Sequence, residues 1–346
     1  MPTATDSLKA DVNQHHLTAK AKGQHFIILP DAIGGPLRCE RCTKTKPWSE
    51  LAAYYKQPCK PPLAPDEAQA RLGDLLQNAV KRQMISDVPL GGLLSGGIDS
   101  ALTLAVAVDA LGAERVKAVM MPFTYTSGMS REDAAEQAET MGVRYRSISI
   151  EPMYREFMAA LAPEFDGLAA DTTEENLQSR CRGVLLMAMS NKTGDMVLTT
   201  GNKSEMAVGY ATLYGDMAGG YGALKDVYKT NVFALAEYRN SLSPVIPQRV
   251  IDRPPSAELA PDQVDEDSLP PYPVLDAILE SYIEQDMSAE AIIAAGYERE
   301  DVMRVVRLVD INEYKRRQAP IGVRVTPRGF GRDRRYPVTN GWKAGI

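Results

Sequence analysis

The sequence predicts an α/β protein built on a doubly wound parallel sheet with flanking helices, and three observations carry that prediction. From residue 66 to about 200, short apolar runs alternate with longer segments of helical periodicity, the pattern of strands joined by crossover helices. The first central run, from Leu90 to Leu94, breaks at Ser95-Gly96-Gly97, and an apolar helix without glycine or proline follows. A later run, Met196 to Thr199, opens in the same way into a polar stretch, Thr200-Gly-Asn-Lys-Ser-Glu205. Sheets of this class bind ligands beyond the carboxyl ends of their strands, where Ser95 and Thr200 both fall.

Taken in order, residues 1–62 are poorly patterned, with one strand-like run from Phe26 to Leu29 and then proline, glycine and cysteine. Pro61, Pro62 and Pro65 mark a linker, and residues 63–346 are read as one domain. Asp66 to Met84 has the spacing of an amphipathic helix leading into the central strand. After the glycine loop come a strand from Val116 to Met121, a helix from about Ser130 to Met141, a third strand from Arg144 to Ile150, and a helix from Thr172 to Met189. Residues 254–271 hold five prolines and five acids with no base, which predicts an unpacked loop or lid. Val302, Val305, Val306 and Val309 keep the helical period and are read as core. From Lys315 to Arg335 eight bases face one acid, so the stretch 315–346 is either a solvated tail or an arm that closes over an anionic substrate.

Composition narrows the function. A net charge of −6, with 44% hydrophobic and 24% charged residues, fits an ordinary globular protein and argues against general nucleic-acid binding. No run reaches the length of a membrane span and the polar N-terminus lacks a signal-peptide pattern, so a cytoplasmic protein is expected. Four cysteines do not make a disulfide framework. Cys39-Glu-Arg-Cys42 has the spacing of half a zinc site, with Cys59 not far off, but the second pair of a zinc ribbon is missing. The histidines, His15, His16 and His25, all precede the main body, where histidine catalysis is therefore not expected.

The glycine loop carries the chemistry. A helix start presents free backbone N–H groups and a positive dipole end, and glycines let the backbone approach a phosphate closely. Ser95 and Ser100 add hydroxyl donors. Asp99 has no place among phosphate oxygens unless a divalent cation lies between, so the string predicts a nucleoside triphosphate with Mg²⁺. It is neither a Walker loop nor a dinucleotide fingerprint, since Gly-Lys-Ser/Thr and Gly-x-Gly-x-x-Gly are both absent there. Glu205 is a second acid for the same metal, and Lys229 a point charge for a phosphate. Asn176 and Arg180, four apart, share a helix face that reads either as solvated or as a polar clamp.

With these residues in view, the chain from about 90 onward resembles the synthetase domain of the NAD⁺ synthetases, of the ATP-pyrophosphatase class, especially the glutamine-dependent form. The resemblance rests on Ser95-Gly-Gly-Ile-Asp-Ser100, Glu175-Asn-Leu-Gln-Ser-Arg180, Thr200 to Glu205, Tyr210-Ala-Thr-Leu-Tyr-Gly-Asp216, Lys229, Pro255-Ser-Ala-Glu-Leu259 and Lys315-Arg-Arg-Gln-Ala-Pro320. It implies that Leu93, Leu94, Ser95, Gly96, Gly97, Ile98, Asp99, Ser100, Thr200, Lys229 and Ser256 bind ATP, with Asp99 and Glu205 holding Mg²⁺. It implies likewise that Asn176, Arg180, Glu205, Tyr210, Ala211, Thr212, Leu213 and Lys315 contact deamido-NAD⁺, and that the protein is a homodimer. Asp99, Glu205 and Lys229 are the expected catalytic residues.

Residues 79–94 also resemble asparagine synthetase, whose glutaminase needs a cysteine after Met1, where Pro2 stands here. The glutamine-dependent enzymes carry a nitrilase-like domain that about 90 residues cannot hold. Ammonia, free or from a separate glutaminase, is therefore the expected nitrogen donor. Two alternatives stay open, amidation of a different carboxylate and a non-catalytic nucleotide-binding module.

Overall fold

A computed structural model describes residues 65–83, 89–261, 263, 265, 268–339 and 341–342, together with the backbone of three short strands nearer the N-terminus. The chain divides into two units, residues 1–63 and residues 64–346. In the first, β1 (Ile28–Pro30), β2 (Leu37–Cys39) and β3 (Thr45–Lys46) pair in sequence as antiparallel strands. The cysteine-pair and histidine expectations concern side chains outside the described residues.

The second unit is a six-stranded, wholly parallel sheet of β4 (Leu90–Leu93), β5 (Val116–Met120), β6 (Arg144–Ser147), β7 (Met196–Thr199), β8 (Tyr221–Gly222) and β9 (Ile321–Gly322). Its order is β6-β5-β4-β7-β8-β9. The sequence runs outward from β4 on one side and resumes from β7 on the other, so the strand order reverses between these two, which is where such sheets open a ligand crevice.

Helices cover both faces, as predicted. On one lie α1 (Pro65–Gln83), α2 (Ile98–Leu111), α3 (Gly128–Thr140) and, later in the chain, the helix Lys229–Leu242. Leu76, Val80, Leu102, Ala105, Val232 and Leu235 fill the core there. The long apolar run of α2 follows from its place, because it is covered by the sheet and by two helices and keeps almost no polar face. On the other face α4 (Glu151–Leu161) and α5 (Thr172–Thr193) pack together, and Val119, Met121, Phe123, Cys181 and Val197 form the core. After them come α6 (Lys203–Val208), α7 (Lys229–Leu242, the helix just mentioned), α8 (Gln248–Asp252), α9 (Tyr272–Leu279), α10 (Ala289–Ala294), α11 (Arg299–Ile311) and α12 (Glu313–Arg316). Val302, Val305, Val306 and Val309 of α11 are buried against α9, as their spacing required. No helix among the described residues is long and apolar enough to cross a membrane.

Three expectations are corrected. The third strand ends at Ser147; Ile148 and Ile150 still donate from their backbones to Met120 O and Pro122 O, but the chain is already turning into α4, which begins at Glu151. The acidic Pro-rich stretch 254–271 has little regular structure, yet it is packed, with Asp265, Leu269 and Pro270 buried. Of its described acids, Glu258 accepts from the Ser127 and Ser130 hydroxyls and Asp265 from the Tyr272 hydroxyl at 2.8 Å, so solvation is not what these two serve. The described part of the basic C-terminal stretch is no free tail, since it supplies β9 and buries Arg316 against Glu313, while Lys315 lines the cleft.

Candidate active site

The phosphate loop follows β4 directly. Gly96 has φ +82°, and a Cβ there would stand 2.3 Å from Ser130 O, so only glycine fits between the loop and α3. Ser100 Oγ donates to Gly97 O at 2.9 Å and receives the Ser95 N–H at 3.1 Å. This hydroxyl braces the loop from inside the cleft. α2 begins at the N-cap Gly97 without a side-chain cap, leaving its first N–H groups for a ligand.

The acids are assembled by a second helix start. In the capping box of α6, Asn202 Oδ1 accepts the Glu205 N–H at 3.0 Å while Asn202 Nδ2 donates to Asp99 Oδ1 at 2.8 Å. Lys229, the first residue of α7, donates from Nζ to Asp99 Oδ2 at 2.5 Å and to Glu205 Oε1 at 3.1 Å, and lies 5.1 Å from the Tyr272 ring centroid. Burial disfavours the Lys229 charge, but Asp99 and Glu205 outweigh it and hold the ammonium well above the ordinary lysine range. Burial pushes the Glu205 carboxyl up to about 8, with Lys229 opposing and Asp99 and Asp265 adding. Asp276, which sequence reasoning missed, fixes this arrangement from α9 by accepting from Ser204 Oγ and from the Thr230 N–H.

On the opposite wall the loop 210–216 is folded onto α5. Thr212 Oγ1 donates to Asn176 Oδ1 at 2.8 Å, the Thr212 N–H to Asp216 Oδ1 at 2.7 Å, and the Asp216 N–H to Ser179 Oγ at 2.9 Å. Lys315 reaches across to Gly209 O and Ala211 O, both at 2.7 Å. Burial raises the Asp216 carboxyl against the pull of these donors.

One cleft of about 740 Å³ joins both walls, the size expected of a small-molecule site. Of the predicted residues, Leu93, Ser95, Gly97, Ile98, Asp99, Ser100, Thr200, Glu205, Lys229 and Ser256 line it, as do Asn176, Tyr210, Ala211, Thr212 and Lys315. Four do not. Leu94 is buried in the core, Gly96 is turned against Ser130, and the exposed Arg180 donates to the carbonyl of Leu213 at 3.3 Å, both lying off the cleft wall. The cleft also holds Ser127, Arg182, Arg253, Glu258 and Asp265, which sequence reasoning did not place there. Arg182 donates to Met121 O at 3.1 Å, and burial pulls its guanidinium down to about 10. Only Glu258 had a signal, its place in the Pro-Ser-Ala-Glu-Leu string.

Among the described residues no three acid, cysteine or histidine side chains gather as a ready-made metal cage. Two carboxylates do converge on one cation position, which suits an ion that takes its remaining oxygens from water and phosphates.

A parallel sheet with a glycine-broken phosphate loop at its switch point, faced by two acids and a lysine, defines the ATP-pyrophosphatase class of α/β nucleotide-binding domains. Within that class the family model for NAD synthase matches residues 68–319, and the chain belongs to this family. The glutamine-dependent NAD(+) synthetase of Acinetobacter baylyi is 63% identical over 266 residues, covering 76% of this chain and 49% of that protein. The solved structure of the glutamine-dependent NAD+ synthetase from Acinetobacter baumannii, in complex with ADP, is similar with a TM-score of 0.53 at 52% identity, over 90% of this chain and 55% of that one. NMN synthetase from Francisella tularensis is similar with a TM-score of 0.60 at 25% identity, over 77% of this chain and 99% of that one. The chain spans about half the length of the glutamine-dependent relatives it matches.

Proposed function

We propose that the cleft activates the nicotinate carboxylate of deamido-NAD⁺ with ATP and amidates it with ammonia, giving NAD⁺, AMP and pyrophosphate. The observation that carries this reading is the convergence of Asp99, Glu205 and Lys229 beside the phosphate loop of a NAD synthase family member. A carboxylate oxygen attacks the α-phosphorus of ATP, and the bond to the β-phosphate oxygen breaks to release pyrophosphate. Ammonia then adds at the carbonyl carbon of the acyl-adenylate, the bond to AMP breaks, and a proton leaves with the new amide.

The loop amides at the start of α2 and the Lys229 ammonium are placed to stabilise charge on the departing pyrophosphate. Asp99 and Glu205 would hold Mg²⁺, which when bound neutralises phosphate charge as a Lewis acid. Tyr210 to Thr212, Asn176 and Lys315, on the other wall, orient the dinucleotide. No covalent bond to the protein is needed. Among the described side chains the one thiol, Cys181, is buried with its pKa pushed up by that burial, a poor nucleophile for glutamine hydrolysis.

The test is NAD⁺ and AMP formed by the purified chain from ATP, MgCl₂ and deamido-NAD⁺, with ammonium or with ammonia-free glutamine. Equal yields of AMP and NAD⁺ with ammonium, and none with glutamine alone, are expected. AMP release that requires another carboxylate, such as aspartate, or none with any acceptor, would replace this reading.

A further inference from the structure

The stretch after Arg253 forms part of the cleft wall, and Glu258 fastens it to α3. Glu258 Oε1 accepts hydrogen bonds from Ser130 Oγ at 2.6 Å and Ser127 Oγ at 2.9 Å, while Oε2 accepts the Ser127 N–H at 3.3 Å. Ser127 is the N-cap of the 13-residue α3, so the carboxylate also lies at the positive end of a helix dipole. The helix does not need it as a cap, because Ser127 Oγ already accepts the Ser130 N–H at 3.0 Å. Glu258 has φ +49°, a region that side-chain-bearing residues seldom enter and that persists where surrounding bonds over-determine it.

The same turn of α3 touches the phosphate loop. Gly96 is packed against Ser130 O, and Arg253 donates from its guanidinium to Gly96 O. At the far end of the stretch, Gln178 Nε2 on α5 donates to Leu259 O at 2.8 Å. Residues 253–259 thus bridge the loop, α3 and α5, with two charged links to α3: Arg253 Nη1, 3.8 Å from Asp133 Oδ2, at one end, and the Glu258 carboxylate on Ser127 and Ser130 at the other.

We propose that Glu258 is a positioning residue, a latch whose docking on Ser127 and Ser130 holds residues 253–259 against the phosphate loop and so completes the nucleotide-binding wall. It touches neither the metal-site acids nor Lys229 in any described contact, so its effect falls on nucleotide affinity more than on turnover. This rests on the ATP-using reading of the cleft.

A double-mutant cycle with Glu258→Ala and Ser130→Ala tests it, read by ATP binding to the full chain in calorimetry and by amide exchange of residues 126–131 and 254–261. Losing charge-assisted hydrogen bonds of this kind predicts about tenfold weaker ATP binding for Glu258→Ala. The double variant should bind no more weakly than Glu258→Ala alone, and exchange should rise in both segments. In turnover, KM for ATP should rise by the larger factor, with Glu258→Gln intermediate. Unchanged affinity with unchanged exchange, or strictly additive losses, would overturn the latch. Should Glu258→Ala fail to fold, Glu258→Gln with Ser130→Ala closes the same cycle. Failure of the unmutated chain to bind ATP would instead refute the ATP reading, and exchange in Glu258→Ala would still decide whether the latch exists.

Discussion

Lys229 stands at the point where Asp99 and Glu205 converge, its Nζ 2.5 Å from Asp99 Oδ2 and 3.1 Å from Glu205 Oε1. The lysine, expected to face a phosphate, lines the cleft and also neutralises the two acids beside it. Two carboxylates and one ammonium leave one acid in excess. That excess is what attracts a further cation into a partly buried site, and it explains why burial and Asp99 drive Glu205 towards its protonated form.

Replacing Lys229 by Met should therefore do two kinds of damage. It leaves Asp99 and Glu205 facing each other without their shared cation, and in the proposed reaction it removes a charge beside the departing pyrophosphate. Turnover should fall by about 10²-fold or more, the scale of losing one preorganised stabiliser. Steady-state rates and a melting curve for Lys229→Met separate the two effects. Near-normal turnover would show that the lysine serves folding alone.

Asp99→Asn and Glu205→Gln keep shape and remove one charge each. Both should abolish Mg²⁺-dependent AMP release while melting close to the unmutated protein. Glu205→Gln should be the gentler on structure, since its Oε2 accepts only a long bond, 3.4 Å, from the Asn202 N–H. A Mg²⁺ titration of activity is the measurement, and normal activity in either variant would remove that residue from the metal site.

How far the sequence could be read depended on how local each signal was. The strand, glycine break and helix around Ser95 are contiguous, and the loop stands where they place it. Val302 to Val309 announce their face by spacing alone. Composition misled at 254–271, where prolines and acids suggest solvation, because the partners of Glu258 lie 131 and 128 positions away, at Ser127 and Ser130. Helical spacing likewise put Asn176 and Arg180 on one face, but the 210–216 loop draws them to different partners, the Thr212 hydroxyl and the Leu213 carbonyl. The C-terminal bases gave no sign that they enclose a buried lysine, because the closing contacts are tertiary.

That lysine is Lys203, fully buried, with Nζ 2.7 Å from Glu284 Oε1, 3.0 Å from Asp226 Oδ1 and 3.0 Å from Arg328 O. It ties the start of α6 to the C-terminal stretch next to β9. Lys203→Met would strand two buried acids without a counter-charge, an uncompensated cost of about 3–5 kcal/mol. Chemical denaturation should show a loss of that order. A loss under 1 kcal/mol would mean that the acids find other partners.

Asn202 offers the sharpest separation of stability from function. Its Oδ1 caps α6 through the Glu205 N–H, a bond whose loss in Asn202→Ala costs about 1 kcal/mol. Its Nδ2 meanwhile steers Asp99, at 2.8 Å, towards Lys229 and Glu205. Stability should therefore drop modestly, while turnover falls by at least about tenfold, because displacing a positioned group by a fraction of an ångström is costly. Asn202→Ser restores a cap oxygen but not the amide donor to Asp99. It should regain most of the stability and little of the turnover. Parallel recovery of both quantities in Asn202→Ser would show that Asn202 acts on activity only through the helix it caps, and that Asp99 needs no steering from it.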